Sequence, residues 1–213
     1  MRNTLYLFLL AIGLAVACEP AAENDTTEET ATEEPAAEEM TDEAEESAAE
    51  MEITAPSGDN YTTTIVEEGI PSPRKEMKAT IGDAEVIINY GSPSVRGRTI
   101  WGDLEPYDEV WRTGANKATT ISFSKDVKVQ GKDLAAGTYA LFTIPREGDW
   151  TVIFNSKPDQ FGDYNYDEGD DTLRVEATPS MLEEAVEQME FVLEGDQIVL
   201  RWDKVSVPFT VAG

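Results

Sequence analysis

The chain has no histidine and only one cysteine among its 213 residues. Without imidazole there is no Ser-His-Asp or Cys-His catalysis, and the commonest zinc and haem ligands are missing. The lone thiol, Cys18, can form no disulfide within the chain. No Walker loop and no dinucleotide-binding glycine pattern occurs. Positive charge is also scarce: 16 Lys and Arg stand against 43 Asp and Glu, a formal net charge of −27. Phosphate backbones and anionic headgroups repel so acidic a chain, which argues against a nucleic-acid partner.

What is present begins with an export signal. Met1-Arg2-Asn3 is a positive start, and Leu5 to Ala17 is an apolar run of thirteen residues. That is short for a bilayer span and suits the core of a signal peptide. The run ends in Leu14-Ala15-Val16-Ala17-Cys18, which resembles the lipobox of bacterial lipoproteins, with Ala15 where leucine is commoner. The resemblance implies that residues 1–17 are removed and that Cys18 is lipidated, a firm membrane anchor once several acyl chains are attached. The alternative is a secreted protein with a free thiol.

From Glu19 to Glu52 there are fifteen acidic residues and no basic one. Such a stretch cannot bury enough apolar surface to offset the entropy of ordering, so residues 18–70 are expected to be a disordered acidic tether. It reads as a solvated spacer, or as an acidic tag for surface export. From Ile53 onward 28 acids face 15 bases, a net of −13, so the remainder is acidic as well.

The rest of the chain alternates in strand period. Val86, Ile88 and Tyr90 fall on one face, as do Trp150, Val152 and Phe154. The same holds for Leu173, Val175 and Ala177, for Met189, Phe191 and Leu193, and for Ile198, Leu200 and Trp202. Pro208 in the last run suggests an edge position. Ser180-Met181-Leu182-Glu183 has capping-box form and suggests one helical turn. Many short strands with turn residues between them predict an all-β, antiparallel β-sandwich or jelly-roll-like domain over 71–213.

One connection stands out. Tyr90 to Thr120 holds three arginines, two tryptophans, two tyrosines, two prolines and four glycines between plain strands. Long connections in compact domains are more often functional than idle. Arg96, Arg98, Trp101, Tyr107, Arg112 and Asn116 are the candidate ligand-binding residues, because arginine forks beside aromatic faces suit a carbohydrate, a peptide or an envelope protein. The competing expectation is that the arginines pair with Asp103, Glu105 and Asp108 and brace the loop. Trp111 reads as core. With Asp103, Glu105, Asp108 and Glu109 close to aromatics, a carboxylate-dependent hydrolase acting on an envelope carbohydrate or peptide is the alternative to a non-catalytic binding or structural domain.

A second connection, Phe161 to Asp171, places Asp163, Asn165 and Asp167 in the alternation that opens a calcium loop. The glycine comes one place late, at Gly169, and Arg174 stands where a bidentate glutamate belongs. An acidic β–β loop fits the same residues, and no other cofactor is expected.

Three separate motifs carry a family resemblance. They are Gly91-Ser92-Pro93-Ser94-Val95-Arg96-Gly97-Arg98, then Val110-Trp111-Arg112-Thr113-Gly114-Ala115-Asn116, then Leu134-Ala135-Ala136-Gly137-Thr138-Tyr139 with the Trp150 strand. With them the chain resembles the bacterial "domain of unknown function 2911" family over about Pro73 to Val211. The resemblance implies a β-rich exported domain, often on lipoproteins, and no catalytic residue. The combined expectation is a cell-envelope lipoprotein, at an outer membrane, on its periplasmic side or at the cell surface.

Overall fold

The computed structural model describes residues 60–213. The signal segment, Cys18 and the acidic stretch lie outside the described residues. Eleven strands follow in order: β1 Tyr61–Glu67, β2 Arg74–Ile81, β3 Ala84–Gly91, β4 Thr119–Phe123, β5 Val127–Val129, β6 Lys132–Leu134, β7 Gly137–Ile144, β8 Trp150–Asn155, β9 Asp171–Ala177, β10 Ser180–Glu194 and β11 Gln197–Ala212. They form a seven-stranded sheet, β1-β2-β3-β4-β7-β8-β9, and a four-stranded sheet, β10-β11-β5-β6. Every pairing is antiparallel. The all-β sandwich expectation holds.

Strand alternation places the core. Val86, Ile88 and Tyr90 from β3, and Trp150, Val152 and Phe154 from β8, pack in one cluster with Met189, Phe191 and Leu193 from β10 and Ile198, Leu200 and Trp202 from β11. These inward faces of the two sheets interdigitate, as a sandwich requires. β8 is buried along its whole length, because its other face is covered too. There Ala118, Ala140, Phe142, Ile144 and Ile153 form a second cluster, and Val110 and Tyr166, from the two long connections, cap it.

Three local expectations are corrected. The seven-stranded sheet starts at Tyr61, inside the segment read as linker; the Thr-rich strand β1 pairs with β2 from Tyr61↔Ala79 onward. Ser180 to Glu183 is strand and not helix: Ser180 pairs with Ser206 and Met181 with Val205, so cross-strand pairing overrides a local capping signal. β11 is an internal strand and not an edge. Pro208 is tolerated because it lies between Ser206, the start of the pairing with β10, and Val211, the start of the pairing with β5.

Candidate functional site

The connection between β3 and β4 is built into both sheets. Val95 N–H donates to Glu187 O at 2.8 Å and Met189 N–H donates to Pro93 O at 2.8 Å, so residues 93–95 lie against the edge of β10. Further on, Trp111 and Thr143 exchange backbone hydrogen bonds of 2.8 and 2.9 Å, which adds Trp111 to the flank of β7. Ala115 N–H closes the loop onto Gly91 O at 3.1 Å. That approach requires glycine, since a Cβ on Gly91 would stand 2.1 Å from the Ala115 oxygen. The connection is thus a clasp from one sheet to the other.

Backbone strain follows the clasp. Of the six non-glycine residues at positive φ among the described residues, Arg96, Asp108, Thr113 and Asn116 are in this one loop. For Thr113, a β-branched residue at φ 53°, the conformation is a real outlier. It is held by buried bonds: Thr119 Oγ1 donates to Thr113 O at 2.6 Å, and the Thr113 hydroxyl donates to Thr143 Oγ1 at 3.2 Å. Strain of this kind persists only where surrounding structure over-determines the backbone.

The aromatic residues of the loop are used in packing. Trp101 meets Trp150 with ring centroids 4.8 Å apart, and Trp111 and Trp202 each at 5.6 Å, all edge to face. Trp111 and Trp202 stack at 5.8 Å. All four tryptophans of the chain therefore form one cluster; Trp111, Trp150 and Trp202 are no more than 2% exposed. The indole N–H groups of Trp101, Trp111 and Trp202 are buried without a hydrogen-bond partner. Tyr107 folds over Gly102, where a Cβ would come within 2.9 Å of its ring. With Trp101, Arg146, Trp150, Met181 and Val205 it rims a hollow of about 160 Å³.

The arginines do not pair with the acids nearest in sequence. Arg98 donates to Ser94 O and Val95 O at 2.6 and 3.1 Å, and Arg96 donates to Pro71 O at 3.0 Å. Arg98 thus satisfies carbonyls of its own turn, and Arg96 reaches back to the connection between β1 and β2. Arg112 approaches Asp163 at 3.9 Å, and Asp108 accepts from Arg146 at 3.1 Å. The expected partnership with Asp103, Glu105 and Asp108 is therefore replaced by carbonyl caps and by more distant partners. Glu105 is singled out among the acids. Burial raises its carboxyl from 4.5 to about 7, with Asp163 adding to the rise and Arg112 and Arg98 opposing it.

The second connection is organised by side chains as well. Asp167 accepts from Gly169 N–H at 2.8 Å and caps the short 3-10 turn Glu168–Asp170. Asp163 turns to Arg112, and Asn165 is exposed. Arg174 donates to Asp171 at 2.7 Å and to the Tyr166 hydroxyl at 2.5 Å, which fixes Tyr166 against Phe142. Among the described residues, no group of three or more His, Cys, Asp or Glu side chains is placed to hold a metal ion.

Asn116 alone of the sequence candidates opens onto a large cavity. The two connections meet there: Gly162 N–H donates to Asn116 O at 3.0 Å, and Lys117 bridges to Phe161. A groove of about 520 Å³ results, walled by Pro71, Arg74, Gly91, Asn116, Lys117 and Phe161. Arg74, Lys117 and Phe161 come from three segments far apart in sequence, so spacing does not reveal them. The one local signal was Phe161, an aromatic among acids and glycines. No curated protein and no solved structure matches the chain. Residues 72–211, which span β2 to the end of β11 and include both connections, match the family model described as a protein of unknown function (DUF2911), and the chain belongs to that family.

Proposed function

We propose that the protein is a non-catalytic β-sandwich module of the cell envelope, anchored at an outer membrane by lipid on Cys18 and held away from it by the acidic segment that precedes β1. The observation that carries this reading is the use of the 92–118 connection. Its tryptophans lie in the shared cluster and Arg96 and Arg98 cap carbonyls, so the groups that would make it a reactive loop are committed to packing. A carboxylate hydrolase needs an acid at a cleft. Glu105 and Glu190 are the acids that burial raises, and neither lines the groove at Asn116 or the hollow at Tyr107.

The anchor is tested by fractionation. Multiple acyl chains hold a protein on a bilayer far more firmly than one, which alone binds with a constant of about 10⁴ M⁻¹. The full-length protein should sediment with membranes, stay there in high salt and leave with detergent. Cys18→Ser should shift it almost wholly to the soluble fraction. A Cys18→Ser protein that still sediments contradicts the anchor.

A further inference from the structure

We infer that the groove walled by Arg74, Asn116, Lys117 and Phe161 binds an acidic saccharide, with the Arg74 guanidinium receiving the sugar carboxylate and the Phe161 ring lying under the sugar's apolar face. This inference stands whether or not the chain is membrane-anchored.

Arg74 is the first reason. Arg96, Arg98, Arg112, Arg146, Arg174 and Arg201 each have a hydrogen-bond or ion-pair partner. Among the described residues Arg74 has neither, though it is half-buried and lies at the groove. Its burial disfavours the charged form, an effect that nearby Glu67 opposes. A partly desolvated guanidinium with open donors is matched by a carboxylate, which can accept two parallel bonds. Lys117 adds a second cation at the rim, and the Asn116 amide can donate to and accept from hydroxyl groups.

Phe161 is the second reason. Phe123, Phe142, Phe154, Phe191 and Phe209 are buried, whereas Phe161 is 61% exposed. Its backbone is nonetheless held at the groove, through the Lys117 bridge and the Gly162 bond to Asn116. An exposed ring on a held backbone beside polar groups offers a flat apolar face. The groove's volume, about 520 Å³, lies in the range of small-molecule sites, roughly 300–1,000 Å³.

Charge and backbone narrow the ligand class. The groove carries two cations, Arg74 and Lys117, against one acid, Glu67, a local inversion of sign on a chain of net charge −27 that favours an anion here over the rest of the surface. An extended peptide would need free backbone groups to pair with. Along this groove Gly91 O already accepts from Ala115 N–H, Asn116 O from Gly162 N–H, and Lys117 pairs with Phe161. Along this wall recognition is left to side chains, which favours a saccharide over a peptide strand.

The test is calorimetric titration of the full chain with trigalacturonate, its methyl ester and a hexaglutamate peptide. The expected result is binding of trigalacturonate alone. Arg74→Gln and Phe161→Ala should each weaken it by at least about tenfold, while Phe161→Ala, at a surface ring, keeps the wild-type melting temperature. Phe161→Ala decides the matter even if Arg74→Gln folds poorly. Absence of trigalacturonate binding at millimolar concentration overturns the proposal, as does binding that Phe161→Ala leaves unchanged. Equal binding of the ester overturns the carboxylate role of Arg74. Binding of hexaglutamate in place of the sugar overturns the saccharide assignment in favour of a peptide.

Discussion

Trp101→Ala is expected to destabilise the protein by about 3 kcal/mol, the low end of the range for a buried large aromatic, because Trp101 is partly buried against the core. In a domain of this size that lowers the melting temperature by roughly 10 °C. Trp101 is the hub of the tryptophan cluster, in edge-to-face contact with Trp111, Trp150 and Trp202. Each such pair contributes about 0.5–1.5 kcal/mol beyond the area it buries. Deletion of the ring removes contacts that tie this loop to Trp150 of β8 and Trp202 of β11. A tryptophan serving as a ligand platform would behave oppositely, with binding lost and melting changed by no more than about 0.5 kcal/mol. Thermal unfolding followed by near-ultraviolet circular dichroism distinguishes the two, because the cluster supplies the aromatic signal.

The second large effect is a stability that falls as pH rises. Glu105 has a folded-state value of about 7 against an ordinary 4.5. Between those values the folded protein holds a proton that the unfolded chain has released, so raising the pH favours unfolding. The contribution is fully present below about pH 4.5 and is lost as pH rises through 7. Its size is on the order of 1–3 kcal/mol, the upper figure being reached only without solvent screening of the half-buried carboxyl. Glu105→Gln mimics the protonated side chain. The variant should match the wild type near pH 5 and melt several degrees above it at pH 8. Parallel melting curves across that range, or a less stable variant at pH 8, would show that Glu105 carries a charge in the folded state without penalty. Glu190, also raised by burial, contributes a slope of the same sign to both proteins and cancels in their difference.

How far the sequence revealed the molecule depended on how local each cause was. β8 was legible because the alternation of Trp150, Val152 and Phe154 is regular and short-range. β1 was not, since YTTTIVE lacks a run of large apolar residues and is held at the sheet edge by β2 alone. The turn expected at Ser180 failed for a related reason: a capping box is worth about 1 kcal/mol, less than the pairing of a fifteen-residue strand with β11. Trp111 read correctly as core, but Trp101 remained ambiguous between glycine, proline and acids. Its burial is decided by Trp150 and Trp202, which lie far along the chain. The arginines were expected on neighbouring carboxylates; a turn with Arg96 and Gly97 both at positive φ instead turns the carbonyls of residues 94 and 95 toward Arg98. The groove was the least legible feature, because Arg74, Lys117 and Phe161 become neighbours only when the two long connections pair with each other.

The central claim is that the 92–118 connection is part of the core rather than a mobile recognition loop, and amide hydrogen exchange tests it most directly. Exchange from packed core segments requires openings close to global unfolding, whereas mobile loops open at almost no cost. The amides of Val95, Trp111, Ala115 and Thr119, bonded to Glu187, Thr143, Gly91 and Arg112 respectively, should exchange with the same opening free energy as those of Leu141 and Ile153. Rapid exchange at Val95, Trp111 and Ala115 beside slow exchange in β7 and β8 would contradict the account, and would return the connection to the surface as a recognition loop.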